Sequence, residues 1–128
     1  MTARFLTSLE LRLVDDNANQ GRGEWELISD LGYYSEVAGC MLVVKKGFKT
    51  DLESVPRVPI VFTVLGDRFA RPAALHDAIY AGLFPSIDRE TADKILEEAI
   101  LATGGDPLEA KMVYEGVRAF GQSHWWKP

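Results

Sequence analysis

Asp88-Arg-Glu-Thr-Ala-Asp-Lys-Ile-Leu-Glu-Glu-Ala-Ile-Leu-Ala-Thr-Gly-Gly-Asp-Pro-Leu-Glu109 holds one complete helix and the start of another. Asp88 suits an N-cap, because its side chain can accept from the unpaired amides of the first turn. Ala92, Ile95, Leu96 and Ala99 then recur at helical spacing and form an apolar stripe, while Glu90, Lys94, Glu97 and Glu98 make a mostly solvated face. Gly104-Gly105 supplies the stop, since glycine tolerates the left-handed backbone that closes a helix. Asp106-Pro107-Leu108-Glu109 restarts the chain with an N-cap, a proline at the first helical position and a glutamate completing a capping box. This last helix is predicted to run towards Phe120 and to end at Gly121.

Working backwards, a helix is predicted from about Pro72 to Leu83, with Gly82 near its end and Pro85 beyond it. Upstream the pattern changes. Ser8-Leu-Glu-Leu-Arg-Leu-Val-Asp15 alternates apolar and charged residues, as a half-buried strand does. Asp16 to Gly23 reads as a turn-rich loop. Trp25-Glu-Leu-Ile-Ser29 and Cys40-Met-Leu-Val-Val44 are further strand candidates, Gly32-Tyr-Tyr fits a strand or a loop, and Lys45-Lys-Gly47 makes a turn. Between the halves, Ser54-Val-Pro-Arg-Val-Pro59 excludes a regular helix or central strand, because each proline removes a donor and restrains its neighbour. Ile60 to Leu65 reads as a short helix or turn. Strands followed by helices make an α+β fold: a small, mainly antiparallel sheet and then three helices. The expected organisation is one domain over 1–128, strand-rich over 1–52, Pro-rich over 53–71, helical over 72–121, with an aromatic tail over 122–128.

The 128 residues fit one hydrophobic core, and 47% hydrophobic with 26% charged residues is ordinary for a globular chain. A net charge of -5, with scattered basic residues, argues against a nucleic-acid partner. No apolar run approaches the roughly 20 residues of a membrane span, and the N-terminus does not read as a secretory signal. The single Cys40 excludes an intrachain disulfide and a multi-cysteine zinc site; it reads as a small buried hydrophobe.

Chemistry concentrates in His76-Asp77-Ala78-Ile79-Tyr80 and Ala92-Asp93. His76 and Tyr80 are four apart and share a helix face, while Asp77 points about 100° away. A short loop between antiparallel helices lets Asp93 approach from the side. A histidine held by a carboxylate is a general base with a fixed tautomer, and two carboxylates with backbone carbonyls can hold a divalent cation such as calcium. Zinc would need the distant His124 or several carboxylates. His76 and Asp93 are therefore the candidate catalytic residues, and Asp77 and Asp51 the candidate metal ligands. The competing reading makes His76 and Asp77 a buried polar junction, with Asp93 paired to an arginine such as Arg57, Arg68, Arg71 or Arg89. Thr50, Asp51 and Ser54 read first as loop-shaping acceptors. Trp125, Trp126, Tyr33 and Tyr34 are interface candidates; the alternatives are a tail folded onto its own domain and tyrosines that cap the sheet.

Three separated motifs, Gly47-Phe-Lys-Thr-Asp-Leu-Glu-Ser-Val-Pro56, His76 to Tyr80 with Ala92-Asp93, and Val117-Arg-Ala-Phe-Gly121 followed by Trp125, together resemble a family of small phage and prophage proteins of unknown function, domain of unknown function 1353. That resemblance implies a phage-encoded accessory or structural protein of tail or baseplate. It also implies other phage proteins as partners, and a place in the virion or host cytoplasm. The alternative is a cation-dependent hydrolase of ester, phospholipid or cell-wall bonds. The His-Asp-x-x-Tyr and Ala-Asp pair also looks like the helical core of phospholipases A2. That likeness implies His76 as base, Asp77 as calcium ligand and Asp93 as orienter, although the glycine-rich calcium loop of those enzymes has no counterpart here.

Overall fold

The helical half obeys its local signals closely. In the structure, a computed structural model describing residues 1–18, 23–51 and 69–127, the helices are α1 (Ala70–Tyr80), α2 (Arg89–Ala102) and α3 (Pro107–Phe120). Asp88 caps α2 by accepting from the Thr91 amide at 2.8 Å, and Asp106 caps α3 by accepting from the Leu108 and Glu109 amides. Each such cap contributes about 1 kcal/mol. α1 ends at Tyr80 rather than near Leu83, because Gly82 takes a φ of +92° and the Leu83 amide turns back to the Ala78 carbonyl. A one-turn 3-10 helix, Gln122–His124, follows α3.

The strands are β1 (Arg4–Phe5), β2 (Leu11–Asp15), β3 (Glu24–Leu27), β4 (Leu31–Ser35), β5 (Cys40–Val44) and β6 (Lys49–Thr50). They form two three-stranded antiparallel sheets, ordered β1-β4-β5 and β2-β3-β6, where a single sheet was expected. Gly32-Tyr-Tyr belongs to β4. The alternation expected from Ser8 to Asp15 does not become alternating burial. β2 is the edge of its sheet, its register slips between Leu13 and Asp15, and Leu13 and Val14 are both exposed. Cys40 is exposed as well, because the inward positions of β5 are Leu42 and Val44.

α1 lies at the centre. Ala73, Ala74 and Ala78 let its neighbours approach, and Leu75 and Ile79 are fully buried in the main core with Leu31, Tyr33, Val44 and Ile95. Full burial of such a leucine or isoleucine side chain stabilises by roughly 1.5–3 kcal/mol. A second cluster, with Leu96, Ile100, Val113 and Val117, joins α2 to α3. Glu98, expected on a solvated face, instead ties α2 to the sheet. Its carboxylate accepts from the Tyr33 hydroxyl at 2.8 Å, the Ser35 hydroxyl at 2.9 Å and the Val37 amide at 2.9 Å.

The Pro-rich connection lies largely outside the described residues, and with it the expected turn at Ile60 to Leu65, Ser54, Arg57 and Arg68. No helix among the described residues is long and apolar enough to cross a membrane.

Candidate functional site

α1 and α2 bring His76 and Asp93 together inside the protein, where they are 1% and 0% exposed. His76 Nε2 lies 2.8 Å from Asp93 Oδ1, and the Tyr80 hydroxyl donates to the same oxygen at 2.7 Å. One helical turn separates His76 from Tyr80, so both rings reach the same point on α2; their centroids are 4.3 Å apart. The other carboxylate oxygen accepts from Arg118 Nη1 at 2.9 Å, with Arg89 Nη1 3.7 Å away. Asp93 thus joins α1, α2 and α3.

Burial pushes the Asp93 carboxyl up, but the hydrogen bonds from His76, Tyr80 and Arg118 outweigh it and hold the group below its ordinary value. Asp93 is therefore a carboxylate, which only accepts, so Nε2 of His76 carries the proton. Burial lowers the His76 pKa more than the bond to Asp93 raises it, and the ring is neutral. Its Nδ1 is then unprotonated. Nδ1 is buried and has no hydrogen-bond partner among the described residues.

Asp77 addresses a different set of groups. Burial, with the nearby Asp51 adding, raises its pKa to about 6, against a hydrogen bond from Thr50 and the pull of His124. The structure therefore sets Asp77 against Thr50 and Asp51, the second candidate ligand, whereas Asp93 faces His76, Tyr80 and Arg118. Among the described residues no group of three or more His, Cys, Asp or Glu is arranged to hold a metal ion. Calcium takes six to eight oxygens, of which Asp51 and Asp77 supply only a part.

The aromatic candidates fold inward. Tyr33 is wholly buried in this chain's own core, which corrects its expected place at a partner surface; Tyr34 is half-buried. The tail turns back onto α1: the Trp126 amide donates to the Tyr80 carbonyl at 2.9 Å, and Trp125 meets the Tyr80 ring edge-on at 5.2 Å. Both tryptophans are half-buried there.

The family model described as protein of unknown function (DUF1353) matches residues 25–117, most of the chain. The chain belongs to this family. No curated protein and no solved structure matches it. The DUF1353 span contains Thr50, Asp51, His76, Asp77, Tyr80 and Asp93, and it stops one residue before Arg118. Arg118 and the hydrogen bond of Tyr80 are the parts of the site that sequence reasoning missed. The available signal was position: Arg118 follows Val117 at the end of the buried row Ala110, Val113, Val117. Arg89, four residues before Asp93, was among the arginines expected to pair with it.

Proposed function

We propose that this chain is a hydrolase of phage origin in which His76 acts as general base through Nδ1. The observation that supports the reading is the geometry at the ring: Nε2 is engaged by Asp93, while Nδ1 is buried and without a partner among the described residues. Buried polar atoms are almost always paired, and an exception calls for a bound water or a catalytic use. The proposed step requires the closed site to open and admit substrate: Nδ1 then takes a proton from a water molecule as the water oxygen bonds to the carbon of an ester or amide carbonyl. The bond to the leaving group then breaks, and Nδ1–H returns the proton to it. Asp93 keeps the tautomer and supports the transient imidazolium. A divalent cation such as calcium at Asp77 and Asp51 belongs to the proposal. Their proximity, which helps raise the Asp77 pKa to about 6, supports it, since a cation would bring that value down. No step is routed through the cation.

A second reading is a virion-associated structural or accessory protein, of tail or baseplate, acting through contacts with other phage proteins. It is favoured by the sealed ring, by the full engagement of Asp93, and by an exposed apolar row on α3, where Leu108 is 67%, Met112 42% and Phe120 63% exposed. Apolar surface of that kind marks interaction sites.

One experiment separates the two. Wild type and His76→Gln are assayed on phospholipid, cell-wall and simple ester substrates, with calcium and with chelator. Gln can keep a donor towards Asp93 but has no basic nitrogen. Turnover in wild type that is lost in a folded His76→Gln protein supports the hydrolase; no turnover under any condition sinks it. The contact reading is tested with Leu108→Lys and Phe120→Lys together, which should leave folding intact and abolish incorporation into particles.

A further inference from the structure

We infer that Arg118 is a positioning residue for the His76 centre, acting through Asp93. The activity consequence rests on the hydrolase reading; the structural consequence does not. A carboxylate at the end of one rotatable bond has two equivalent oxygens. Here they are made inequivalent: Arg118 Nη1 holds Oδ2 at 2.9 Å, and Oδ1 is left to His76 at 2.8 Å and Tyr80 at 2.7 Å. Without Arg118, the remaining cation near Oδ2 among the described residues is Arg89 at 3.7 Å, beyond hydrogen-bond distance.

Arg118 is itself delivered by a fixed backbone. Arg89 donates Nη1 to the Val117 carbonyl at 3.0 Å, which also accepts from the Gly121 amide at 2.9 Å, and Nη2 to the Arg118 carbonyl at 3.2 Å, at the end of the helix where carbonyls need such donors. The same Nη1 also donates to the Tyr80 hydroxyl at 3.2 Å. At the next turn, a Cβ on Gly121 would stand 2.7 Å from the Tyr80 hydroxyl and 3.2 Å from Arg89 Nη1. The end of α3 is therefore seated against the dyad by contacts that leave no room for a side chain at Gly121. Among the described residues, the charged and titratable groups around this junction include Asp93, His76, Tyr80, Arg89, Asp88, Glu90 and Tyr114. Arg118 touches none of the reacting atoms. Its effect is on the plane of the Asp93 carboxylate, and through that plane on which ring nitrogen of His76 carries the proton.

The test is imidazole nitrogen NMR on the full chain, with Arg118→Met and Arg118→Lys compared to wild type, and kcat and KM measured on the ester that wild type hydrolyses. Wild type is expected to show the Nε2–H tautomer alone. Arg118→Met should show a growing Nδ1–H fraction, with kcat down roughly tenfold and KM little changed. Arg118→Lys, which restores a charge but not the planar fork, should fall between them. Wild-type tautomer and kcat in both variants, with only a lower melting temperature, overturns the inference and leaves Arg118 a structural tie. If Arg118→Met does not fold, Arg118→Lys decides alone: an intermediate tautomer ratio supports the inference and a wild-type ratio overturns it. If wild type hydrolyses no ester, the hydrolase reading fails, while the tautomer measurement still decides whether Arg118 positions His76.

Discussion

Nε2 of His76 sits 2.8 Å from Oδ1 of Asp93, across the contact between α1 and α2 and out of reach of solvent. A neutral ring held this way by an ionised carboxylate has one nitrogen engaged and one unprotonated. Whether His76 is a structural junction or a base is therefore a question about the two nitrogens separately.

His76→Gln and His76→Ala should differ in stability and agree in chemistry. Ala leaves a cavity and a carboxylate oxygen short of one donor, at a cost of about 2–4 kcal/mol. Gln, able to reach Asp93, should lose less than half of that in urea unfolding. Both should lose hydrolysis by about a hundredfold or more; a His76→Gln protein with wild-type turnover excludes His76 as the base.

Asp93→Ala should be the most damaging single change in the helical half. It removes the partner of His76, Tyr80 and Arg118 at a fully buried position. Breaking a buried charge pair from one side typically costs about 3–5 kcal/mol. Denaturant unfolding that shows less than about 1 kcal/mol of loss would refute the picture of Asp93 as the junction of three helices.

Asp77 makes a pH prediction whose sign is opposite to that of Asp93. Its folded pKa is raised from 3.8 to about 6, so its contribution to stability is complete below 3.8 and is lost as pH rises through 6. Asp93, held below 3.8, contributes above that value and loses its contribution as pH falls through the folded pKa. His76, lowered from 6.5, contributes above 6.5 and loses that contribution as pH falls towards its folded pKa. Asp77→Asn should thus gain, relative to wild type, roughly 2–3 kcal/mol in the stability at pH 7 minus that at pH 4. Parallel stability curves for the two proteins would show that Asp77 does not titrate in this window.

Gly82→Ala tests the seating of the tail. Gly82 has a φ of +92°, and a Cβ there would stand 2.8 Å from the Trp126 ring. Backbone strain and displacement of the ring together should cost about 1–3 kcal/mol. Tryptophan fluorescence should shift to the red as Trp125 and Trp126 leave Tyr80. An unchanged spectrum would mean that the tail is not held by this contact.

The helices were legible because their signals are local. Asp88, Gly104 and Asp106 act on backbone groups within a turn of themselves, so spacing alone reveals them. Burial along the strands was less legible. Leu13, Val14 and Cys40 carry apolar side chains, but which face is covered depends on where the sheet divides and which strand is an edge. Glu98 reads as solvated by composition, yet it meets Tyr33, Ser35 and Val37 across more than 60 residues of sequence.

The same division holds at the site. By itself the sequence determined the α+β order, the helix boundaries at Asp88 and Asp106, and His76, Asp77, Tyr80 and Asp93 as the residues to watch. All of these rest on periodicity and capping, which act over a few residues. Only the tertiary structure decided that Asp93 pairs with His76, Tyr80 and Arg118 while Asp77 turns to Thr50 and Asp51, and that Nδ1 is the ring nitrogen without a partner among the described residues. Those choices come from how α1, α2 and α3 pack, and packing brings together residues that no local pattern connects.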